Sequence, residues 1–121
     1  MRSGTRHVLI EDPQTAGSSF MDHNLLAGNL SINWGGLLFS SLGAFQSSTG
    51  RGAGCFNTDP LFVNVIGGDF HLQGSSSGVN SGAGLNVFGT FLQRYGFEID
   101  VDRDRRPRPL GPLPDMGCYE Q

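Results

Sequence analysis

Lysine is absent from this 121-residue chain, and its eight basic residues are all arginine. That removes amine bases and Schiff-base chemistry. Charge of either sign is sparse, at 16% of residues, and the formal net charge is −3. No basic stripe exists to displace counterions from phosphate, because acids interleave with Arg103, Arg105, Arg106 and Arg108, so nucleic acid is not expected as a partner. No apolar run approaches the roughly 20 residues of a membrane span. Met1 to Glu11 lacks the uninterrupted apolar stretch of a signal peptide, so any export signal lies outside this sequence. Two cysteines, Cys55 and Cys118, are too few for a disulfide scaffold. They read as buried free thiols, with a long-range bridge as the alternative.

What the chain has instead is glycine, 19 residues, and phenylalanine, 9 residues. Glycine with Ser and Asn supplies frequent turns, and Phe supplies apolar area to a core made of short segments. Length allows one domain, residues 1–121, with a loose start over 1–6. His7–Ile10 reads as a strand ended by Asp12-Pro13, followed by a loop over 14–19. Phe20–Leu26 is strand-like, and Leu30, Ile32 and Trp34 alternate onto one face of a third strand. Leu38, Leu42 and Phe45 fall at helical spacing, which predicts a short helix within 37–46 capped by Ser40 or Ser41. Gly50, Gly52 and Gly54 form a flexible loop without the residues of a phosphate-binding loop. Asp59–Val65 and Phe70–Leu72 are strands around a Gly67-Gly68-Asp69 turn. Residues 74–84 bend, 85–95 are either irregular or helical, and Phe97, Ile99 and Val101 alternate as a strand.

Several of these stretches resemble a known family. Asp59-Pro60-Leu61-Phe62-Val63 followed by Gly68-Asp69-Phe70-His71-Leu72, Ser76–Gly82, Asp102–Pro109 and Asp115–Glu120 occur in that order. They resemble the DPLFV, GDFHL, SPAIDAG, DxDGxxRP and DIGAYE steps of right-handed parallel β-helix proteins, pectate-lyase-like, found at the C-terminal ends of secreted and surface proteins of bacteria. Three positions depart from the pattern: Arg105 replaces a glycine, Asn80 an aspartate and Cys118 an alanine. The resemblance implies an all-β fold, a right-handed parallel β-helix of about three or four short coils with one short helix and a closing tail over 98–121. Phe20, Trp34, Phe62 and Phe70 would stack along it, and Asn24, Asn29 and Asn33 would serve its corners. A small antiparallel β-sandwich is the alternative. An open first coil would need cover, because it presents unpaired edges. Either the chain is the tail of a longer protein or it self-associates through its N-terminal coil.

Glu98, Asp100, Asp102 and Asp104 recur at every second position, so an extended chain places all four carboxylates on one face, with Ile99 and Val101 toward the core. Such a row needs neutralising. Ca²⁺ is one candidate, without an EF-hand spacing to support it; the neighbouring arginines are the better one. No other cofactor is expected. The resemblance implies that Asp102, Asp104, Arg108 and Asp115 are structural, clamping the tail. Asp22 beside His23 permits an acid–base pair or a glycan contact, but no nucleophile elbow surrounds Ser18 or Ser19. His71 is expected to face outward, and the Asn29-Leu30-Ser31 sequon is discounted as a chance occurrence. Two function classes follow. One is a non-catalytic structural or capping module of a surface or secreted protein, adhesive or glycan-contacting. The other is a carbohydrate-active remnant, of lyase or hydrolase type, whose groove oligomerisation completes.

Overall fold

A computed structural model describes residues 7–84 and 87–121. The chain divides into two compact units, Met1–Asp59 and Pro60–Gln121. The loose start expected over 1–6 lies outside the described residues.

In the first unit, β1 (Val8–Ile10) leads into α1 (Pro13–Ser18), then β2 (Ile32–Trp34), β3 (Leu37–Phe39) and α2 (Leu42–Thr49). Helix α1 stands where a loop was expected. Asp12 caps it, accepting from Thr15 N at 2.6 Å, and Pro13 opens it with a φ already suited to a helix. Asp12 is held below the usual carboxylate value first by the Thr15 side chain and then by this backbone bond. The connection carrying α1 is a crossover, so β1 and β2 pair in parallel. Gly35 and Gly36 then reverse the chain with φ of +61° and +82°, and β3 returns antiparallel to β2. That hairpin takes Leu37–Phe39 out of the predicted helix. Ser41 caps α2 through Ala44 N at 3.2 Å, and Gly50 closes it in the left-handed conformation.

One face of this sheet, with α2, builds the core: Ile32, Trp34, Phe39, Phe45, Leu30, Met21, Ala16 and Cys55 are buried together. Phe20–Leu26 forms no strand; it is laced to the glycine loop by an isolated parallel bridge, Leu25 to Phe56. Phe20 is 76% exposed and stacks in no core. Asn33 lies within β2, where its Oδ1 accepts from Gly36 N at 3.1 Å and so steadies the hairpin turn.

In the second unit β4 (Phe62–Asn64) and β5 (Asp69–Leu72) pair antiparallel around Gly67-Gly68, and α3 (Val87–Tyr95) follows. Phe62 and Phe70 meet edge to face, centroids 5.5 Å apart. Leu72, Pro114 and Met116 are its buried apolar side chains among the described residues. Beside them lie Asp102, Asp115 and Glu120, so this unit is built around polar groups.

The expected parallel β-helix is therefore overturned. Among the described residues five strands lie in two small sheets, neither of them closed or coiled into a solenoid, and three helices accompany them, so the chain is not all-β. The physical cause is local. A coil corner must pass the chain on to a parallel neighbour, whereas Gly35-Gly36 and Gly67-Gly68 turn it back on itself. The parallel β1–β2 pair likewise departs from an all-antiparallel sandwich.

Candidate functional site

Polar side chains gather in each of the two units. In the first unit, Asp22 accepts from Gly54 N and from His23 N (2.9 Å) through Oδ1, and its Oδ2 is 3.6 Å from His23 Nδ1. Asn24 donates its amide to Asp22 O at 2.7 Å, and its backbone N–H points at Cys55 Sγ, 3.4 Å away. Phe56 N donates to Asn24 O, and Leu26 N to Phe56 O. The 21–26 segment is thus stitched along the 52–56 loop, with Asp22 satisfying a loop N–H. His23 adopts φ +51° and packs over Gly54, where an added Cβ would stand 2.8 Å from its Nε2; only glycine fits beneath the ring.

Beside this lattice runs a groove of about 360 Å³. Trp34 and Met21 line it from the core, Phe20 exposes its ring along it, and Asp22, Asn24 and His7 supply polar atoms. Of the two glycan-contact candidates, Asp22 lines the groove and His23 does not. His7 is engaged at both ring nitrogens, Nδ1 accepting from Ser31 N at 3.3 Å and Nε2 lying 2.7 Å from Ala27 O.

In the second unit the tail closes on a buried ionic network. Glu120 is 1% exposed; its Oε1 accepts from Arg108 Nε (2.8 Å) and Asp115 N (3.1 Å), and its Oε2 from Leu110 N (3.1 Å). Arg108 Nη2 also donates to Asp115 O and Gly117 O, both at 2.9 Å. Asp102 accepts from Arg106 N (2.7 Å) and Glu120 N (2.9 Å), one bond to each oxygen. Asp115 accepts from Asn80 N (2.6 Å) and Gln121 N (2.8 Å) in the same fashion. Gly82 N donates to Pro114 O at 2.7 Å, an approach that a Cβ at 82 would block. The structure thus brings Asp102, Arg108 and Asp115 together and adds Glu120.

The Asp104 carboxylate stands apart from that network, with Oδ2 2.9 Å from His71 Nε2. Expectation and structure differ over the row 98–104. No strand forms there, only a bridge from Val101 to Pro107, so the two-residue alternation has no sheet to enforce it. Val101 is 48% exposed and Asp102 is buried, the reverse of the expected facing. The tight turn draws the Asp102 carboxylate inward to its N–H groups. Burial opposes the charge on Asp102, but the N–H groups of Glu120, Arg106 and Asp104 and the Arg106 guanidinium outweigh it, and its pKa stays below the usual carboxylate value. Among the described residues no group of three or more His, Cys, Asp or Glu could hold a metal ion, so Glu98, Asp100, Asp102 and Asp104 do not converge on one. Arg105, where the resemblance has glycine, keeps the left-handed conformation at φ +66°, so the turn survives with a strained arginine.

Both cysteines are free, Cys55 buried and Cys118 exposed, which corrects the expectation of two buried thiols. No helix among the described residues is long and apolar enough to cross a membrane. No family model matches the chain, and no curated protein or solved structure matches it either. Its function is read from its own residues.

Sequence reasoning missed Glu120 and His71. A lone acid next to Tyr119, following an arginine-rich turn, was the available signal for the first. For the second it was the Asp69-x-His71 spacing, which puts both side chains on one face of a strand.

Proposed function

We propose that the chain is a non-catalytic structural module of a surface or secreted protein that closes its own tail and contacts carbohydrate through the groove beside Trp34. The observation that carries this reading is the engagement of the buried acids. Each carboxylate oxygen of Asp102, Asp115 and Glu120 accepts a bond from a backbone N–H or from Arg108. Groups held this way serve as fixed acceptors, not as a poised acid–base pair. The resemblance of 102–109 and 115–120 to the ends of secreted proteins supports the setting.

The groove supports the carbohydrate contact. An exposed aromatic ring offers a flat apolar face, and Asp22 and Asn24 offer polar atoms beside it. Among the described residues its lining includes a carboxylate and no arginine, so a neutral sugar face suits it better than a uronate. Neutral and acidic oligosaccharides, titrated by calorimetry and assayed in the same samples for bond cleavage with and without Ca²⁺, test the reading. Binding of a neutral oligosaccharide without cleavage is expected, weakened roughly two- to tenfold in Phe20→Ala. Ca²⁺-dependent release of unsaturated uronates from pectin or alginate would overturn it.

Self-association belongs to the same proposal. Strand β1 is an edge of the three-stranded sheet, and Leu9 is 54% exposed on it. An unpaired edge is a template for a second copy. Light scattering after size-exclusion chromatography should give a defined oligomer that Leu9→Arg dissociates. A monomer at every concentration would remove self-association from the proposal.

A further inference from the structure

His71 on β5 is held at both ring nitrogens by carboxylates. Nδ1 lies 2.6 Å from Asp69 Oδ1, and Nε2 lies 2.9 Å from Asp104 Oδ2. A neutral imidazole has one N–H and one lone pair, so it can satisfy only one of two ionised carboxylates; the imidazolium donates to both. The ring also stacks on Tyr119, centroids 3.9 Å apart and planes 26° from parallel, a position in which the aromatic face favours a cation. These contacts join three parts of the second unit. Asp69 and His71 share the strand, Asp104 belongs to the 102–106 turn, and Tyr119 belongs to the closing segment. Strand β4, across the hairpin, is Phe62-Val63-Asn64 and presents no titratable side chain.

We propose that His71 is a pH-sensitive latch, closed as the imidazolium, that fastens the 102–106 turn and the Tyr119 segment onto β5. The inference goes beyond the reading of a carbohydrate-contacting module and does not depend on it. As pH rises, one ring proton leaves to solvent. The nitrogen facing Asp104 then presents a lone pair to a carboxylate oxygen, and that contact becomes repulsive. The Asp69 contact persists, because it is the shorter one and spans two residues of a single strand. The side chain is partly buried, with 24% of its surface exposed, so solvent screens the pair only in part.

The direction of titration agrees. His71 is raised above its ordinary value of 6.5, first by the bond to Asp69 and then by Asp104, against the opposing effect of burial. Asp69 is lowered by the same bond. A raised folded-state value means that the contribution is complete below 6.5 and is lost as pH climbs through the folded value. The depressed Asp69 sets the acid limit, since its contribution is lost as pH falls through its folded value.

An NMR titration of the histidine ring protons on the whole chain, assigned with His71→Gln, reads the latch directly. The midpoint of His71 should lie above 6.5 and move down in Asp104→Asn, whose exposed side chain keeps the fold out of question. Arg103 N donates to Cys118 O at 2.9 Å between the turn and the closing segment. Its amide protection factor should therefore fall several-fold as pH passes the His71 midpoint, and should show no such step in His71→Gln. A His71 midpoint at or below 6.5, a midpoint indifferent to Asp104→Asn, or an Arg103 protection factor that ignores the titration would each overturn the proposal.

Discussion

Glu120→Ala should lower the thermal midpoint of the second unit by on the order of 10 °C or more, through a loss of about 3–5 kcal/mol. The substitution takes the acceptor from three donors at once: Asp115 N, which is buried, and Arg108 Nε and Leu110 N, which are partly buried. The arginine is the costliest of these, because its charge is only 17% exposed, and without its partner it keeps most of its desolvation penalty and loses its compensation. Glu120→Gln separates charge from shape. Its amide oxygen can replace Oε1, but its NH₂ then faces the Leu110 N–H, donor against donor, and an intermediate loss is expected. Both tyrosines, Tyr95 and Tyr119, belong to this unit, so near-ultraviolet dichroism of tyrosine follows its unfolding. An unchanged midpoint in Glu120→Ala would mean that the network holds nothing, and the structural reading of the tail would fail with it. Acid should act in the same direction. Asp102, whose pKa is depressed, contributes stability above its unfolded value near 3.8 that is lost as pH falls through the folded one.

Phe45→Ala should be the most damaging single change in the first unit, at about 3–5 kcal/mol. Phe45 has no exposed surface, and its ring meets Trp34 and Phe39 edge to face at 5.4 and 5.6 Å. Gly52 lies against the same ring, where an added Cβ would stand 3.1 Å from it. These three neighbours of the cavity left by alanine are each held in place by something else: a paired strand for Trp34 and Phe39, and a hydrogen bond from Gly52 N to Met21 O for the loop. Little relaxation can refill it, which puts the cost at the upper end for such substitutions. A loss of that size is a large part of the stability a unit of about 60 residues possesses. Trp34, the single tryptophan, reports the transition by fluorescence. Phe45→Leu, which keeps most of the volume, should cost clearly less; equal losses for the two substitutions would show that packing at 45 is not what holds the sheet and helix together.

Short-range chemistry was legible in the residues. Val8–Ile10, Ile32–Trp34 and the hairpin around Gly67-Gly68 follow from alternation and turn residues, and α2 follows from the Ser41 cap and the spacing of Leu42 and Phe45. Asp12-Pro13 carries the signal for α1 as well, an N-cap followed by a proline at the first helical position, although the same pair equally marks the end of a strand. The motif-like stretches that suggested a solenoid were legible in the same way, and they misled. DPLFV and GDFHL describe a strand, a turn and a strand, and that much can be stacked as a coil or folded back as a hairpin.

Which of these the chain takes depends on groups far apart in sequence. Parallel pairing of β1 with β2 spans 24 residues, from Val8 to Ile32, and no local pattern encodes a partner at that distance. The inward turn of Asp102 depends on the N–H of Glu120, and the ion pair of Arg108 on a carboxylate 12 residues later. The sequence sets which groups can be strands, caps and charges, because those preferences act within a turn or two of backbone. Burial sets which charges become a clamp, a latch or a groove, because a carboxylate acquires its role only when distant N–H groups and rings exclude water from around it.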